Sequence, residues 1–225
     1  MIEIKKGKEP KELIQYRKQN DATYDNMHGA RVSDQQTEDV YHIVLNSLVR
    51  EQGGLCAYCM CRIPERKGTP SCTIEHIVPQ SECKNNPEKA IDYRNMLAVC
   101  SGNRNATSDA DKTCDARRKN QKLNLNPLDK STLKWIKYKS DGRIFSDDAV
   151  TDKELDDVLN LNCISRQLPD CRKKALEEML LVIKKKYPSG SIKEYCLRLL
   201  DHYRNDDPKK PYVGILIYWL ERHCK

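Results

Sequence analysis

The feature that most constrains this chain is the cysteine pair Cys56 and Cys59, whose C-x-x-C spacing lets two thiolates face one metal ion. A tetrahedral zinc ion needs two further ligands, and Cys100 and Cys114 follow later in the chain. Four thiolates close the coordination sphere and leave no open position for chemistry. The sequence therefore predicts a structural Zn²⁺ site formed by Cys56, Cys59, Cys100 and Cys114.

The remaining cysteines fall into two groups. Three of them, Cys61, Cys72 and Cys83, lie close enough in sequence to compete for the same metal. The late cysteines are interpreted as small buried apolar side chains, a common role for free cysteine; they are Cys163, Cys171, Cys196 and Cys224.

Cysteine usage also bears on the cellular compartment. The chain has eleven cysteines, an odd number that cannot all pair internally. No apolar run approaches the roughly 18 residues of a transmembrane helix, and the first residues, MIEIKKGKEPKELIQ, lack the apolar core of a signal peptide. We therefore expect a cytoplasmic protein with no membrane partner, whose reduced thiols are available to a metal.

Hydrophobic periodicity predicts an α+β fold in which helical segments flank the cysteine region. Apolar residues at helical spacing predict a helix around Val40–Leu48, which Gly53 and Gly54 end. Residues 55–63 and 72–79 are predicted as strands, 92–100 as a short helix, and the C-terminal third as helices. We divide the chain into an N-terminal arm and helix (1–53), a zinc-bearing core (54–127) and a mostly helical C-terminal region (128–225).

Charge is distributed unevenly along a chain of net charge +7. Residues 117–139 carry eight Lys or Arg and one Asp, whereas residues 141–157 carry seven acidic and two basic residues. A basic block suits a polyanion such as nucleic acid, and a solvated surface is the alternative explanation. The basic residues nearest the cysteine region are predicted to bind phosphates: Arg117, Arg118, Lys119 and Lys122.

The dipeptide Glu75-His76 lies near the end of a predicted strand, directly before the Pro79 stop. A carboxylate suits a hard cation such as Mg²⁺ or Mn²⁺. A neutral imidazole is a good general base near neutral pH. One metal and one base suffice for phosphodiester hydrolysis, because the base activates water and the metal stabilises charge on the phosphate.

The order of motifs resembles the HNH nuclease family. Cys-x-x-Cys is followed by IEHIVPQS, then DYRNMLAVC, then TCDARRKN, over roughly residues 54–127. The resemblance implies a ββα-metal core, in which two strands and a helix surround a divalent ion, with a four-cysteine zinc knuckle outside the active site.

Residue by residue, the HNH resemblance implies that His76 is the general base and Glu75 an acidic metal ligand. It implies that Asn95 braces the loop that positions the base. Asp115 matches the last metal-binding position. The gap between Cys100 and Cys114 is long for the family, so Asn103 or Asn105 is an alternative ligand.

The segments GLCAYCMCRI, IEHIVPQS and NMLAVC, with the IKKGKEP arm, look more specifically like the PtuB-type HNH nuclease of Septu anti-phage systems, some of which accompany retrons. That resemblance implies a bacterial defence role, a PtuA-type ATPase of the ABC class as partner, and a nucleic-acid substrate, either DNA or RNA such as tRNA. The acidic 141–157 stretch and the C-terminal helices are the expected docking surfaces. The alternative function is a non-catalytic zinc module that binds nucleic acid or protein.

Overall fold

A computed structural model describes residues 1–186 and 192–223, and of Lys84 and Asn85 only the backbone. It shows an α+β protein with small antiparallel sheets that pair β1 with β2, β3 with β4 and β5 with β6. The strands are β1 (Glu65–Arg66), β2 (Thr69–Pro70), β3 (Cys72–His76), β4 (Met96–Cys100), β5 (Ile136–Tyr138) and β6 (Ile144–Ser146). The α-helices are α1 (Lys11–Tyr16), α2 (Val40–Glu51), α3 (Cys114–Arg118), α4 (Lys130–Leu133), α5 (Ala149–Lys153), α6 (Leu168–Lys186), α7 (Ile192–Asn205) and α8 (Val213–His223).

The predicted helix before the cysteine region is confirmed as α2. The Asp39 side chain accepts a hydrogen bond from the backbone N–H of His42, which satisfies an otherwise unpaired donor in the first turn. The chain leaves the helix through Gly53 and Gly54, whose φ angles of 63° and 75° are readily adopted by glycine. The helix buries its apolar face, made of Val40, Tyr41, Val44, Leu45 and Leu48.

The cysteine knuckle, residues 55–63, was predicted as a strand, and this is wrong. One isolated bridge joins Leu55 to Arg62, and the backbone between them forms a tight turn. Met60 adopts a left-handed φ of 60°, which reverses the chain so that Cys61 O accepts a hydrogen bond from Cys56 N at 3.0 Å. The strand predicted over residues 72–79 is confirmed as β3, which ends at His76.

The helix predicted over residues 92–100 is also wrong. A short 3-10 turn at Tyr93–Asn95 leads directly into β4, which pairs with β3 from Cys72↔Cys100 to His76↔Met96. Every residue of β4 is buried, so both of its faces are covered and the apolar run lacks the polar alternation of a half-exposed strand.

The two faces of β4 belong to two different apolar cores. Leu97 and Val99 pack in the first core, with Met1, Ile4 and the C-terminal helices. Met96 and Ala98 pack in the second core, with α1 and α2. Each core draws on more than one of the predicted segments 1–53, 54–127 and 128–225, and their division into domains stays a prediction.

The C-terminal helices cover the first core. In the part of the chain that the structure describes, no helix combines the length and apolar character needed to cross a bilayer. Ile192, the first residue of α7, is 48% exposed. The core-facing residues of these helices include Leu176, Met179, Ile183, Cys196, Leu200, Tyr203, Val213, Ile215, Leu216 and Leu220.

The side chain of Gln52, just after α2, ties that helix to the sheet. Its Nε2 donates to Ala98 O at 2.8 Å and to Leu55 O at 2.7 Å, and its Oε1 accepts from Ala98 N at 2.8 Å. Gln52 is 4% exposed, so these bonds form in a buried environment. The amide therefore occupies the edge of β4 much as a neighbouring strand would.

Gln52→Leu should lower the free energy of unfolding by about 2 kcal/mol, because it leaves the buried N–H and C=O of Ala98 short of a partner. Urea unfolding of the zinc-loaded protein, followed by circular dichroism, measures the loss. Gln19→Leu, at an exposed position before α2, is the matched control. Equal stability of the two variants would contradict the role given to Gln52.

Candidate functional site

The four cysteines predicted to bind zinc lie together and are buried: Cys56, Cys59, Cys100 and Cys114. Their ligand atoms all fall within 4.8 Å of one another. Two come from the knuckle, one from the last residue of β4 and one from the first residue of α3. Among the described residues, this is the one group of three or more His, Cys, Asp or Glu ligand atoms that converges so closely.

The sulfur separations have the size that tetrahedral zinc requires. Sγ–Sγ distances are 3.8 Å for Cys56–Cys114, 3.7 Å for Cys59–Cys100 and 3.8 Å for Cys100–Cys114. A Zn–S bond of about 2.3 Å places the corners of a regular tetrahedron about 3.8 Å apart. A disulfide would bring two sulfurs to about 2.0 Å. The donor set and its spacing therefore fit a metal such as zinc.

A fifth thiol lies against this cluster. Cys61 interacts with Cys100, Cys56 and Cys59, and these contacts raise the pKa of its thiol. Of the cysteines interpreted as apolar core residues, Cys163 and Cys196 are buried and Cys171 is partly exposed. Cys224 lies outside the described residues.

Helix α3 connects the four-cysteine cluster to a second site. Cys114 begins the helix, and its backbone N–H donates to Leu159 O at 2.9 Å. Asp115 and Arg118 follow on the same short helix, at residues 2 and 5 of its five residues. Metal binding at Cys114 would therefore fix the position of both side chains relative to β3.

Arg118, predicted to contact phosphates, is 1% exposed, so that assignment is wrong. Its guanidinium forms a buried salt bridge with Glu75 Oε1. It also donates to His76 O and Ile77 O, each at 2.7 Å, and to Tyr58 Oη at 3.1 Å. Arg118 thus clamps the end of β3 onto α3, and a basic cluster in the sequence cannot distinguish such a residue from an exposed one.

A cleft of about 260 Å³ lies beside the clamp, and Glu75, His76 and Asp115 all line it. Burial raises the pKa of Glu75 to about 8, with Asp115 adding to the shift and Arg118 opposing it. A divalent cation bound between these two carboxyl groups would favour their ionised forms. A hard ion such as Mg²⁺ is commonly held by one or two carboxylates, with water and substrate phosphates as further ligands.

His76 is held in one tautomer by the backbone. Its Nε2 lies 2.8 Å from Ala90 O, and because a carbonyl only accepts, Nε2 carries the proton and Nδ1 is left with a lone pair. The Tyr24 ring meets the imidazole edge to face, with centroids 4.5 Å apart and planes at 78°. Burial lowers the pKa of His76, so the ring is neutral near pH 7.

Asn95 holds the loop that carries this carbonyl. It is 5% exposed, its Oδ1 accepts from Val78 N at 2.8 Å, and its Nδ2 donates to Lys89 O at 2.9 Å. Lys89 directly precedes Ala90, so Asn95 fixes both ends of the 78–90 loop beside His76. Such a contact positions the imidazole and does not itself reach a substrate.

The alternative ligands Asn103 and Asn105 lie on the long loop between β4 and α3. Asn103 donates to Asp111 O at 3.1 Å, within that loop, and Asn105 is exposed. The cleft is lined by Asp115 and by Arg104 of the same loop. Neither asparagine lines the cleft, and the choice of ligand stays a prediction.

The other predicted phosphate-binding residues have different surroundings. Lys119 lines the cleft, is 60% exposed and pairs with Asp109 at 2.6 Å. Lys122 is 72% exposed and lies 3.7 Å from Glu82. Arg117 turns away toward the 154–158 segment, where its Nε donates to Asp157 O at 3.2 Å.

The cleft residues that were not predicted as site residues include Tyr24, Tyr41 and Arg104. The two tyrosines come from the N-terminal region, and Tyr41 Oη accepts from Ile74 N at 3.3 Å. Arg104 pairs with Asp115 at 2.5 Å. No local motif marks these residues, because only the tertiary fold brings them to Glu75 and His76.

The acidic 141–157 stretch is partly internal. Glu154 is 5% exposed, and its carboxylate accepts from Asn124 N at 2.7 Å and Leu125 N at 2.9 Å. It opens a π-helical turn at Glu154–Val158 that packs against α3. Exposed acids remain on this stretch, at Asp141, Asp147, Asp148, Asp156 and Asp157.

The fold and the cysteine cluster define an α+β protein with a buried four-cysteine site that can hold a metal such as zinc. No protein-family model and no curated protein significantly matches the sequence of this chain.

Cys114→Ser should reduce bound zinc from one ion per chain to near zero and leave the protein unfolded. Structural zinc contributes about 10–16 kcal/mol in small zinc domains, which equals or exceeds the stability of a typical domain. Metal analysis by mass spectrometry and circular dichroism measure both effects. Cys171→Ser, at a partly exposed cysteine that is not one of the four converging thiols, is the control and should keep its zinc. A folded, zinc-loaded Cys114→Ser protein would rule the cluster out.

Arg118→Met should lower the free energy of unfolding by about 3–5 kcal/mol, because it removes one partner of a buried salt bridge and the donor to the carbonyls of His76 and Ile77. Adding Glu75→Gln to Arg118→Met should recover part of that loss, since a neutral amide needs no cationic partner. Chemical denaturation of wild type, both single variants and the double variant completes the cycle. Strictly additive losses would show that the two side chains do not interact.

Proposed function

We propose that this protein is a metal-dependent endonuclease that hydrolyses phosphodiester bonds in nucleic acid. The observation that supports this most is the cleft lined together by His76, Glu75 and Asp115. These residues lie at the end of β3 and the start of α3, next to the four-cysteine cluster. The arrangement agrees with the HNH resemblance of residues 54–127.

His76 would act as the general base. Its Nε2 donates to Ala90 O at 2.8 Å, which keeps the ring proton on Nε2. Nδ1 can therefore take a proton from an attacking water. Lowering of the His76 pKa by burial keeps this nitrogen unprotonated at neutral pH. Asn95 would keep the loop and its carbonyl in place during the reaction, as a positioning residue.

Glu75 and Asp115 would hold the catalytic ion, Mg²⁺ or Mn²⁺, through carboxylate oxygens, which such hard cations prefer. A bound divalent ion would supply electrostatic stabilisation of the developing charge on the phosphate and the leaving oxygen. The hydrogen bonds from Arg118 and Tyr58 to Glu75 both fall on Oε1, which holds that carboxylate in one orientation at the cleft.

Lys119 and Lys122 would contribute salt-dependent affinity for the phosphate backbone, because both are exposed beside the cleft or just beyond it. DNA and RNA such as tRNA remain the two substrate classes, because both carry this phosphate backbone. The Tyr24 and Tyr41 rings in the cleft wall provide apolar surface next to His76.

The defence role and the PtuA-type ATPase partner rest on the PtuB-type resemblance alone, and we include both in the proposal, with retron components as a further association. The exposed acids between Asp141 and Asp157 and the outer surface of α6 are the proposed contact region. Co-purification of the ATPase with the full chain, and with Asp147→Lys and Asp156→Lys introduced together, tests this. Undiminished capture by the charge-reversed variant would exclude the acidic stretch.

His76→Ala should abolish Mn²⁺-dependent cleavage, with a loss of about 10²–10⁴-fold, the contribution typical of a general base. Zinc content should match the wild type, because His76 is not one of the four cysteines that would hold the ion. Cleavage of plasmid DNA and of tRNA is measured side by side, with and without chelation of the divalent ion. His202→Ala, at a 60% exposed histidine on α7, is the control and should cut normally.

Full activity of the His76→Ala protein would contradict the assignment. Absence of cleavage by the wild type on either nucleic acid, alone and with the ATPase, would favour the non-catalytic zinc module.

A further inference from the structure

The loop of residues 101–113 makes the gap between Cys100 and Cys114 long, and it is firmly anchored at its base. Thr113 N donates to Gly102 O at 2.8 Å. Gly102 has a φ of 56°, and a Cβ at this position would meet Thr113 O at 2.1 Å, so only glycine fits. Asn160 Nδ2 donates to Ala110 O at 2.7 Å and to Lys112 O at 2.9 Å, which ties the far side of the loop to the C-terminal region.

This loop presents Arg104 to the cleft. A turn in which Arg104 N donates to Ser101 O at 2.9 Å sets its backbone. Its guanidinium Nη2 lies 2.5 Å from Asp115 Oδ2 and 3.5 Å from Thr73 Oγ1. The Arg104 side chain is nevertheless 53% exposed, against 18% for Asp115. One carboxylate of the proposed metal pair is therefore covered by a long side chain that faces solvent.

The two arginines of the site differ in how they are held. Arg118 is 1% exposed and donates to backbone carbonyls as well as to Glu75, so it is fixed in the fold. Arg104 contacts side chains at the cleft rim. An ion pair with one exposed partner contributes little stability, because solvent screens the attraction. A divalent cation that binds Asp115 would compete with Arg104 for the same carboxylate.

We infer that Arg104 is a counter-cation for Asp115 in the metal-free protein and a phosphate-binding residue once a divalent ion has replaced it. This inference rests on the proposed function, because it requires Asp115 to be a metal ligand. Guanidinium groups pair with phosphate as they do with carboxylate, often through two parallel hydrogen bonds. Arg104 would thus release the Asp115 carboxylate and bind a substrate phosphate. Binding of the metal ion would in this way promote binding of the substrate.

The first measurement is the binding of Mn²⁺ alone to the zinc-loaded full chain, followed by electron paramagnetic resonance. Arg104→Gln should tighten Mn²⁺ binding about two- to fivefold, the range that corresponds to the loss of an exposed ion pair. Arg94→Gln removes an exposed arginine that does not line this cleft, and should leave Mn²⁺ affinity unchanged. Asp115→Asn should weaken Mn²⁺ binding, which tests the proposed ligand independently. Zinc content verifies that each variant is folded.

The second measurement is affinity for nucleic acid, made in the His76→Ala background with Mn²⁺ present so that the substrate stays intact. The probes are a fluorescein-labelled DNA duplex and an RNA strand of the same sequence. Arg104→Gln should weaken binding of the preferred probe and reduce the slope of log affinity against log salt concentration by about one, as expected for one lost phosphate contact. Arg94→Gln should keep the wild-type slope.

Tighter Mn²⁺ binding together with the reduced salt slope supports the inference. Unchanged or weaker Mn²⁺ binding by Arg104→Gln, with Asp115→Asn impaired, overturns the inference and leaves the proposed metal site standing. A normal salt slope in Arg104→Gln also overturns it, since Arg104 would then contact no phosphate. Wild-type Mn²⁺ binding by Asp115→Asn overturns the metal assignment and the inference together.

Discussion

The association of four buried thiols is the interaction on which the rest of the structure depends. They come from the 55–63 knuckle, the end of β4 and the start of α3, three segments that share little other secondary structure. Sulfur separations of 3.7–3.8 Å match a tetrahedral thiolate site. Because Cys114 begins α3, the same association sets the helix that carries Asp115 and Arg118. The position of the cleft therefore depends on the four-cysteine cluster.

Arg118 of α3 fixes the position of the end of β3. It is bonded to the Glu75 carboxylate and to the carbonyls of His76 and Ile77, so a salt bridge and hydrogen bonds join α3 to β3. A buried ion pair of this kind adds little net stability over apolar residues, but removing one partner strongly lowers the free energy of unfolding. Its effect is to limit the orientations available to Glu75. Asn95 does the equivalent for His76 through the 78–90 loop.

Sequence reasoning located Cys56 and Cys59 because the C-x-x-C spacing of metal ligands is a local property. It added Cys100 and Cys114 because a tetrahedral zinc ion needs two further ligands. It also selected Glu75, His76, Asn95 and Asp115, of which Glu75, His76 and Asp115 share a cleft and Asn95 lies just behind it, while their roles remain predictions. It failed for Arg118, because a sequence does not show whether a charged side chain is exposed or is paired in the core. It also failed for β4: an apolar run covered on both faces has no alternation to distinguish a strand from a helix. Tyr24, Tyr41 and Arg104 depend on tertiary contacts that no local pattern encodes.

The Gln52 amide has a consequence for how copies of this chain behave toward one another. A two-stranded sheet leaves each strand with an outer edge, and unpaired edges invite pairing with a second molecule. On β4, the Gln52 side chain and the backbone N–H of Ala57 take up the polar groups of Ala98 at the centre of that edge. The strand with the most apolar sequence in the sheet is thereby closed to strand addition. Gln52 and Ala57 together leave Ala98 with no free N–H or C=O to pair with a second molecule at this edge.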